Sequence, residues 1–500
     1  MTNFTIVCLI IGLNLATYWR TIFYGLVVDD LNRNKPTTRA MSHLSMTEMD
    51  NLLTEISASA MSPMPTHAHF KNQEEEAKIL KKIKIPYWKK VWGSLRASGD
   101  WVINKRLDHS LTLAIHTLAS ILIYFAFGSN IVSFIAAILF SVHPVNTQIS
   151  IWLNGKRYGI NAILVLLMFL FQPWGIIFYP LTPYWQPNAF FAPLIYLAKG
   201  HWWVLLFLPL SIFLAKRRNI LTLLHRLGAI PDCELKKIRW KKLIILVKSF
   251  GYYFKHCLFP TKLSFYHMFL ESFGFNKDEN KYWYSYNFDF WVGLISLIGV
   301  SGLIVHFWST PLGFGLFWWV VFMMQWLNFP ITCTQSFSER YTYIANIGLV
   351  VAISWGLLQI PIPELRLVAI TGLFTYYLTR LLMYMPSYKN LTVFHRHTLY
   401  TFPKQFRIRG TVANQHFLAN RMFHAIAECG TGLLHWNRDF ALHIIIAKSF
   451  IKFNQKDAAR LHIQKARENI VPGKERDSEM MIAFLEKELE KSQENVNIAY

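Results

Sequence analysis

Between residues 111 and 385 the chain is a succession of apolar runs, each near the ~20 residues that carry a helix across ~30 Å of hydrocarbon. The runs cover 111–127, 131–145, 160–179, 191–215, 243–259, 290–307, 312–327, 343–358 and 367–384, divided by Pro, Gly, aromatic and basic residues. Only 16% of residues are charged while 53% are hydrophobic, against roughly 25% charged in soluble domains, so the chain lacks the polar surface to dissolve its apolar mass. The apolar stretch 4–16 has no basic segment before it and no small-residue cleavage site after it, and reads as an uncleaved first span. The expected fold is all-α, a polytopic membrane helical bundle of about ten spans within a range of nine to twelve.

Four regions follow: a first span at 1–18, a long extramembrane loop at 19–108, a transmembrane bundle at 109–385, and a soluble helical domain at 386–500. The loop interleaves basic residues (Lys81, Lys82, Lys84, Lys89, Lys90) with Tyr87, Trp88 and Trp92, which suits helices lying among lipid headgroups. In the last region, 440–472 fits a tetratricopeptide helical hairpin, with Ile446, Ala447, Phe450, Ala459, Ile463 and Ala466 on the facing sides and a turn near Asn454. The stretches 418–434 and 478–491 are its expected flanking helices, because one repeat cannot bury its own face. A generic helical hairpin is the competing reading.

The balance of 51 Lys and Arg against 29 Asp and Glu gives +22, which points to membrane lipids and lipid phosphate as partners. No zinc-finger or RNP-like spacing points to nucleic acid. Cys8, Cys233, Cys257, Cys333 and Cys429 are scattered without CxxC spacing and are expected to pack in apolar surroundings.

Three constellations can carry chemistry. Asp29-Asp30 lies just past the first span, where a carboxylate can deprotonate an acceptor hydroxyl or help hold a divalent metal. His143-Pro144-Val145, followed by Trp152 and Gly155-Lys156-Arg157, sets cations and aromatics between two apolar runs, a combination able to pair with a phosphate. Glu339-Arg340-Tyr341-Thr342-Tyr343 opens another run. Each has a bland alternative: a solvated acidic loop, a snorkelling loop end, or a Glu-Arg pair closed on itself or on lipid.

As a set these motifs resemble the tetratricopeptide-repeat-containing O-mannosyltransferase-like proteins of the GT-C glycosyltransferase superfamily. The family's Asp-Asp pair after the first span resembles Asp29-Asp30 with Asn34 beyond, and its His-x6-His helix resembles His109 and His116. Its His-Pro-Val, Trp and Gly-Arg/Lys elements are similar to His143-Pro144-Val145, Trp152 and Gly155-Lys156-Arg157. Its Glu-Arg-Tyr-x-Tyr element followed by Gly is similar to residues 339–343 with Gly348, and its Tyr-Tyr then Pro-x-x-Leu-Ser element to Tyr252-Tyr253 and Pro260 to Ser264.

The resemblance implies a polyprenyl-phosphate-linked sugar donor, with mannose suggested by the family, and transfer with inversion to a protein or glycan hydroxyl. It implies an active site facing the periplasm of a bacterial inner membrane or the lumen of the endoplasmic reticulum, and an acceptor or protein partner presented by the C-terminal repeat. Asp29 and Asp30 would be the base or the metal-holding pair; Lys156, Arg157, Arg340 and Lys216 would bind donor phosphate. His143, Trp152, Asn34, Glu339, Tyr343, His109 and His116 would line the substrate pocket. Three features depart from the pattern: Ala215-Lys216-Arg217 stands where the family has Lys-Glu, Ala345 replaces a common Pro, and there is about one clear repeat rather than many. The first departure favours an alternative reading, a catalytically inactive membrane scaffold. A transporter for lipid-linked glycans would show mid-span charges in paired halves, and the sequence has no inverted repeat.

Overall fold

The computed structural model describes residues 2–24, 105–182, 191–207, 209, 241–267, 285–327, 337–435, 437, 439–470 and 475–497, and their regular structure is entirely helical. Four of the helices begin where polar side chains cap them. Asn130 and Ser133 form a reciprocal capping box (3.0 and 2.9 Å) at the start of α3 (Ile131–Val142). Thr2 caps α1 (Asn3–Tyr18), Asn287 caps α8 (Phe288–His306), and Thr310 caps α9 (Pro311–Met323). Between these lie α2 (Lys105–Ala126), α4 (Thr147–Ile151), α5 (Lys156–Leu170), α6 (Pro193–Leu197) and α7 (Lys241–Leu258). Beyond α9 follow α10 (Tyr343–Leu358) and α11 (Pro363–Tyr384), the latter opened by a proline in its first turn.

Five helical segments among the described residues are long and apolar enough to cross a membrane: Asn3–Phe23, Arg106–Ala126, Phe288–His306, Glu339–Leu358 and Pro363–Tyr388. A sixth is the pair Ile131–Val142 and Pro144–Ile151, bent by 54°. Among the described residues several of the expected runs form no such segment, and local chemistry accounts for their breaks. Run 131–145 breaks because Pro144 cannot continue the helix. Run 160–179 stops at Leu170 and continues as a 3-10 turn, Trp174–Leu181. Run 191–215 begins as the five-residue α6, which ends at Leu197 and is followed by Gly200 with φ +83° and another 3-10 turn, Trp202–Phe207. Run 243–259 forms α7, which carries Lys241, Lys242, Lys248 and Lys255, and run 312–327 forms only the 13-residue α9 before its own 3-10 turn.

Among these helices α10 is the central element, with its residues from Tyr343 to Ala352 all buried, whereas α8 and α11 turn most of their apolar side chains outward. Small residues let helix backbones touch. A Cβ on Gly315 would strike the Gly348 carbonyl across α9 and α10, and one on Gly251 would strike Gly293 across α7 and α8. Polar cross-links fasten α1 to α3: Asn14 Nδ2 donates to Ser141 Oγ (3.0 Å), and Tyr18 Oη donates to the Ser141 carbonyl (3.0 Å).

The chain divides between Val393 and Phe394, a few residues beyond the boundary expected at 385, within α12 (Leu391–Thr401). In the second unit, α13 (Phe406–Leu418), α14 (Met422–His435), α15 (Phe440–Lys452), α16 (Lys456–Glu468) and α17 (Glu475–Asn497) follow in order. The hairpin expected at 440–472 is α15 and α16, turning at Asn454 with φ +55°. Ala447, Ala459, Ile463 and Ala466 form its buried seam, completed by Ile482, Leu485 and Leu489 of α17. Ile446 faces the other way, into Ala413, Ala425 and Cys429, so α15 is buried on two sides. Cys257 and Cys429 are buried as expected, Cys8 is exposed on the apolar α1, and Cys233 and Cys333 lie outside the described residues.

Candidate functional site

The site grows from the break after α3. His143 ends that helix, its Nε2 lies 3.0 Å from the Cys257 carbonyl, and its Nδ1 accepts from the Val145 N–H at 3.4 Å. Fully buried, and with Tyr377 against its ring at 4.3 Å, His143 positions the following turn and does not line an open pocket. The chain then folds back through α4 and a 3-10 turn, Leu153–Gly155. Gly155 permits this fold, since a Cβ there would come within 2.7 Å of Ile149 Cα and 2.8 Å of the Gln148 carbonyl.

That fold-back presents Gln148, a residue the motifs do not mark, as the connector of distant segments. Its Nε2 donates to Glu339 Oε2 and to the Ser264 carbonyl, both at 3.3 Å, while its Oε1 accepts from the Arg340 N–H (3.3 Å) and Ser338 Oγ (3.4 Å). Glu339 is fully buried. Its Oε1 accepts from the Ser264 N–H at 2.8 Å and faces His267 Nε2 at 3.0 Å and His256 Nε2 at 3.6 Å. Tyr252 Oη lies 3.4 Å from the other nitrogen of His267, and Phe337 stacks on Tyr253 and against His267, both at 4.4 Å. Burial, reinforced by the neighbouring His256 ring, holds His267 well below the ordinary imidazole range, so this histidine is neutral at pH 7. His256, His267 and Glu339 are the described side chains grouped closely enough to hold a metal ion.

Arg340 turns the other way. Its guanidinium lies 5.5 Å from the Trp152 ring, 5.2 Å from Phe265 and 5.0 Å from Tyr341, and Tyr341 stacks on Trp326 at 3.7 Å. Trp152 and Phe265 are buried but Arg340 is half-buried, a guanidinium held in an aromatic frame. Such a group can take an anionic oxygen through its fork of donors.

Lys156 is 2% exposed and bound to the fully buried Asp108 at 2.6 Å, so its charge is already opposed by a carboxylate that the motif reading did not assign to it. Arg157 is half-buried at the start of α5. His116 is buried between α2, α3 and α10: its Nδ1 meets Tyr343 Oη at 2.8 Å, its Nε2 meets the Ser141 carbonyl at 3.3 Å, and Phe140 stacks on its ring at 5.5 Å. This makes His116 and Tyr343 a helix-to-helix fastening. His109 is buried one residue after Asp108. Asp29, Asp30, Asn34 and Lys216 lie outside the described residues. Phe23 lies 5.3 Å from Arg106, in the first turn of α2.

Thus the structure brings together the His-x6-His helix, the His-Pro-Val to Lys-Arg segment, the Tyr-Tyr to Ser264 segment and the Glu-Arg-Tyr segment. His256, His267, Gln148 and Asp108 are its additions. No family model, curated protein or solved structure matches the chain.

Proposed function

We propose that the chain is a membrane-embedded glycosyltransferase of the GT-C type, taking a sugar from a polyprenyl-phosphate carrier and passing it to a protein or glycan hydroxyl. The observation that carries the reading is the convergence just described: motifs more than 200 residues apart, linked by the contacts of Gln148, Glu339, Asp108 and His116. Their spacing means little separately; their meeting in space is what a shared site requires.

A lipid setting is supported by the outward faces of α8 and α11, where Trp291, Ile295, Ile298, Leu367, Val368 and Met383 are all more than half exposed. In water such faces would be a large exposed apolar patch, whereas in hydrocarbon they are the solvated surface. Arg340 in its aromatic frame is the cation suited to the donor phosphate, stabilising it as negative charge develops on departure. Asp29 or Asp30 supplies the base or holds the metal.

The test is transfer of radiolabelled mannose from polyprenyl-phosphate mannose by the full chain in lipid nanodiscs, with peptide and glycan acceptors. Loss of the general base lowers transfer by roughly 100-fold or more in Asp29→Asn or Asp30→Asn. Unchanged transfer by both variants removes the carboxylate role. A second reading, a non-catalytic membrane scaffold that binds a partner through the C-terminal helices, is favoured by one observation: Asp108 already neutralises Lys156, leaving fewer cations for a phosphate. The absence of transfer by the wild-type chain to any acceptor, together with the absence of lipid-phosphate binding, selects it.

A further inference from the structure

We infer that His256, His267 and Glu339 form a binding site for a divalent transition-metal ion, zinc being the species whose ligand chemistry they match best. Three observations carry this, and none depends on the glycosyltransferase reading.

The first is the donor set. Two imidazole nitrogens and a carboxylate oxygen form a His2Glu triad, the composition of zinc sites that keep a fourth position open, and a set that also accepts ferrous iron. The second is geometry. A tetrahedral zinc with bonds of about 2.05 Å separates neighbouring ligand atoms by roughly 3.3 Å. His267 Nε2 and His256 Nε2 stand 3.0 and 3.6 Å from Glu339 Oε1, on either side of that edge, and all three ligand atoms lie within 4.8 Å of one another. An ion enters with side-chain adjustments of tenths of an ångström along these two edges.

The third is an unmet need. His256 Nε2 is buried, faces the carboxylate, and has no hydrogen-bond partner among the described residues. A buried polar atom left in this way costs free energy unless something binds it. His267 meets Glu339 through Nε2, while its Nδ1 lies 3.4 Å from Tyr252 Oη, the arrangement in which an outer hydroxyl orients a metal-binding imidazole. Glu339 is likewise steadied from outside: Ser264 N–H occupies one lone pair of Oε1, and Gln148 holds Oε2. The protein therefore supplies the second layer of contacts that a working metal site needs, on two elements separated by 72 residues.

The experiment uses the full chain in detergent, stripped with a chelator, re-equilibrated separately with Zn2+ or, without oxygen, with Fe2+, then desalted and analysed by mass spectrometry for metal. The expected result is about one tightly held equivalent of zinc per chain. It falls at least tenfold in Glu339→Gln and in His256→Leu, and is retained in His116→Gln, whose imidazole lies elsewhere. Saturation with ferrous iron at higher affinity than zinc would assign the same site to iron. Less than about a tenth of an equivalent of either metal in the wild type overturns the proposal. So does wild-type stoichiometry in Glu339→Gln, which would place the metal elsewhere in the chain. If the variants fail to fold, Co2+ substitution in the wild type decides. Bands of a four- or five-coordinate ion with nitrogen and oxygen ligands support the site, whereas a thiolate charge-transfer band contradicts it. Because binding is read directly, failure of this test leaves the sugar-transfer reading standing, and failure of sugar transfer leaves this one standing.

Discussion

Asp108→Asn removes one partner of an ion pair whose two side chains are 0% and 2% exposed and whose charged atoms are 2.6 Å apart. At that distance and an effective dielectric of about 20, the attraction is roughly 6 kcal/mol, set against several kcal/mol to desolvate each ion. The intact pair is therefore nearly neutral for stability, but Lys156 without the Asp108 charge keeps most of its desolvation cost. The substitution should destabilise the chain by about 3–5 kcal/mol. Lys156→Met should cost a similar amount by stranding the carboxylate. The double variant Asp108→Leu with Lys156→Met replaces both charges by apolar groups and should recover most of the loss. The assay is a double-mutant cycle from denaturant unfolding in one detergent, with far-UV circular dichroism as readout. Two single variants with wild-type stability would show that water reaches the pair. A double variant as unstable as the sum of the singles would show that the two groups do not interact, and either outcome refutes the reasoning.

Gly348→Ala places a methyl group against the Gly315 carbonyl and forces α9 and α10 apart, costing about 1–3 kcal/mol of thermal or denaturant stability, whereas Gly356→Ala, which meets open space, should be near neutral. In the second unit His443 Nδ1 and His462 Nδ1 lie 3.0 Å apart, and burial, as the main cause, lowers both from 6.5, His462 to about 4. The unfolded chain then binds more protons than the folded unit between about pH 4 and 6.5, so stability is fully present above that window and is lost as pH falls through it. Because His462 is only half-buried, screening reduces the loss to about 1 kcal/mol, read as falling amide protection in α15 and α16 after correction for intrinsic exchange, and His462→Gln should flatten the slope.

Helix positions were legible where an apolar run fills one helix: the run at 343–358 coincides with α10, and the run at 290–307 is α8 displaced by two residues or fewer. Hydropathy does not mark where a single residue interrupts a helix, as Pro144 does after α3, where the apolar segment continues only across a 54° bend. Local motifs singled out Trp152, Glu339, Arg340, His116 and Tyr343, because each lies within a short recognisable string, and the structure makes the last two a contact between helices. The pairing of Asp108 with Lys156, 48 residues apart, and of His267 with Glu339, 72 apart, depends on how helices pack, and nothing local in the sequence encodes it. The hairpin at 440–472 was legible because its small residues repeat at helical spacing, while the inward turn of Ile446 toward α13 and α14 was not, since α15 is buried on both sides.

The most direct test of the account is photo-crosslinking of the full chain in nanodiscs with a polyprenyl-phosphate mannose analogue whose photoreactive group sits beside the phosphate. The prediction is that labelled peptides come from the Trp152, Phe265 and Arg340 segments together, and that excess unmodified donor competes the label away. Labelling spread along α8 and α11 without competition would mean that the lipid touches only the outer surface, and would contradict a donor site at the convergence of these segments.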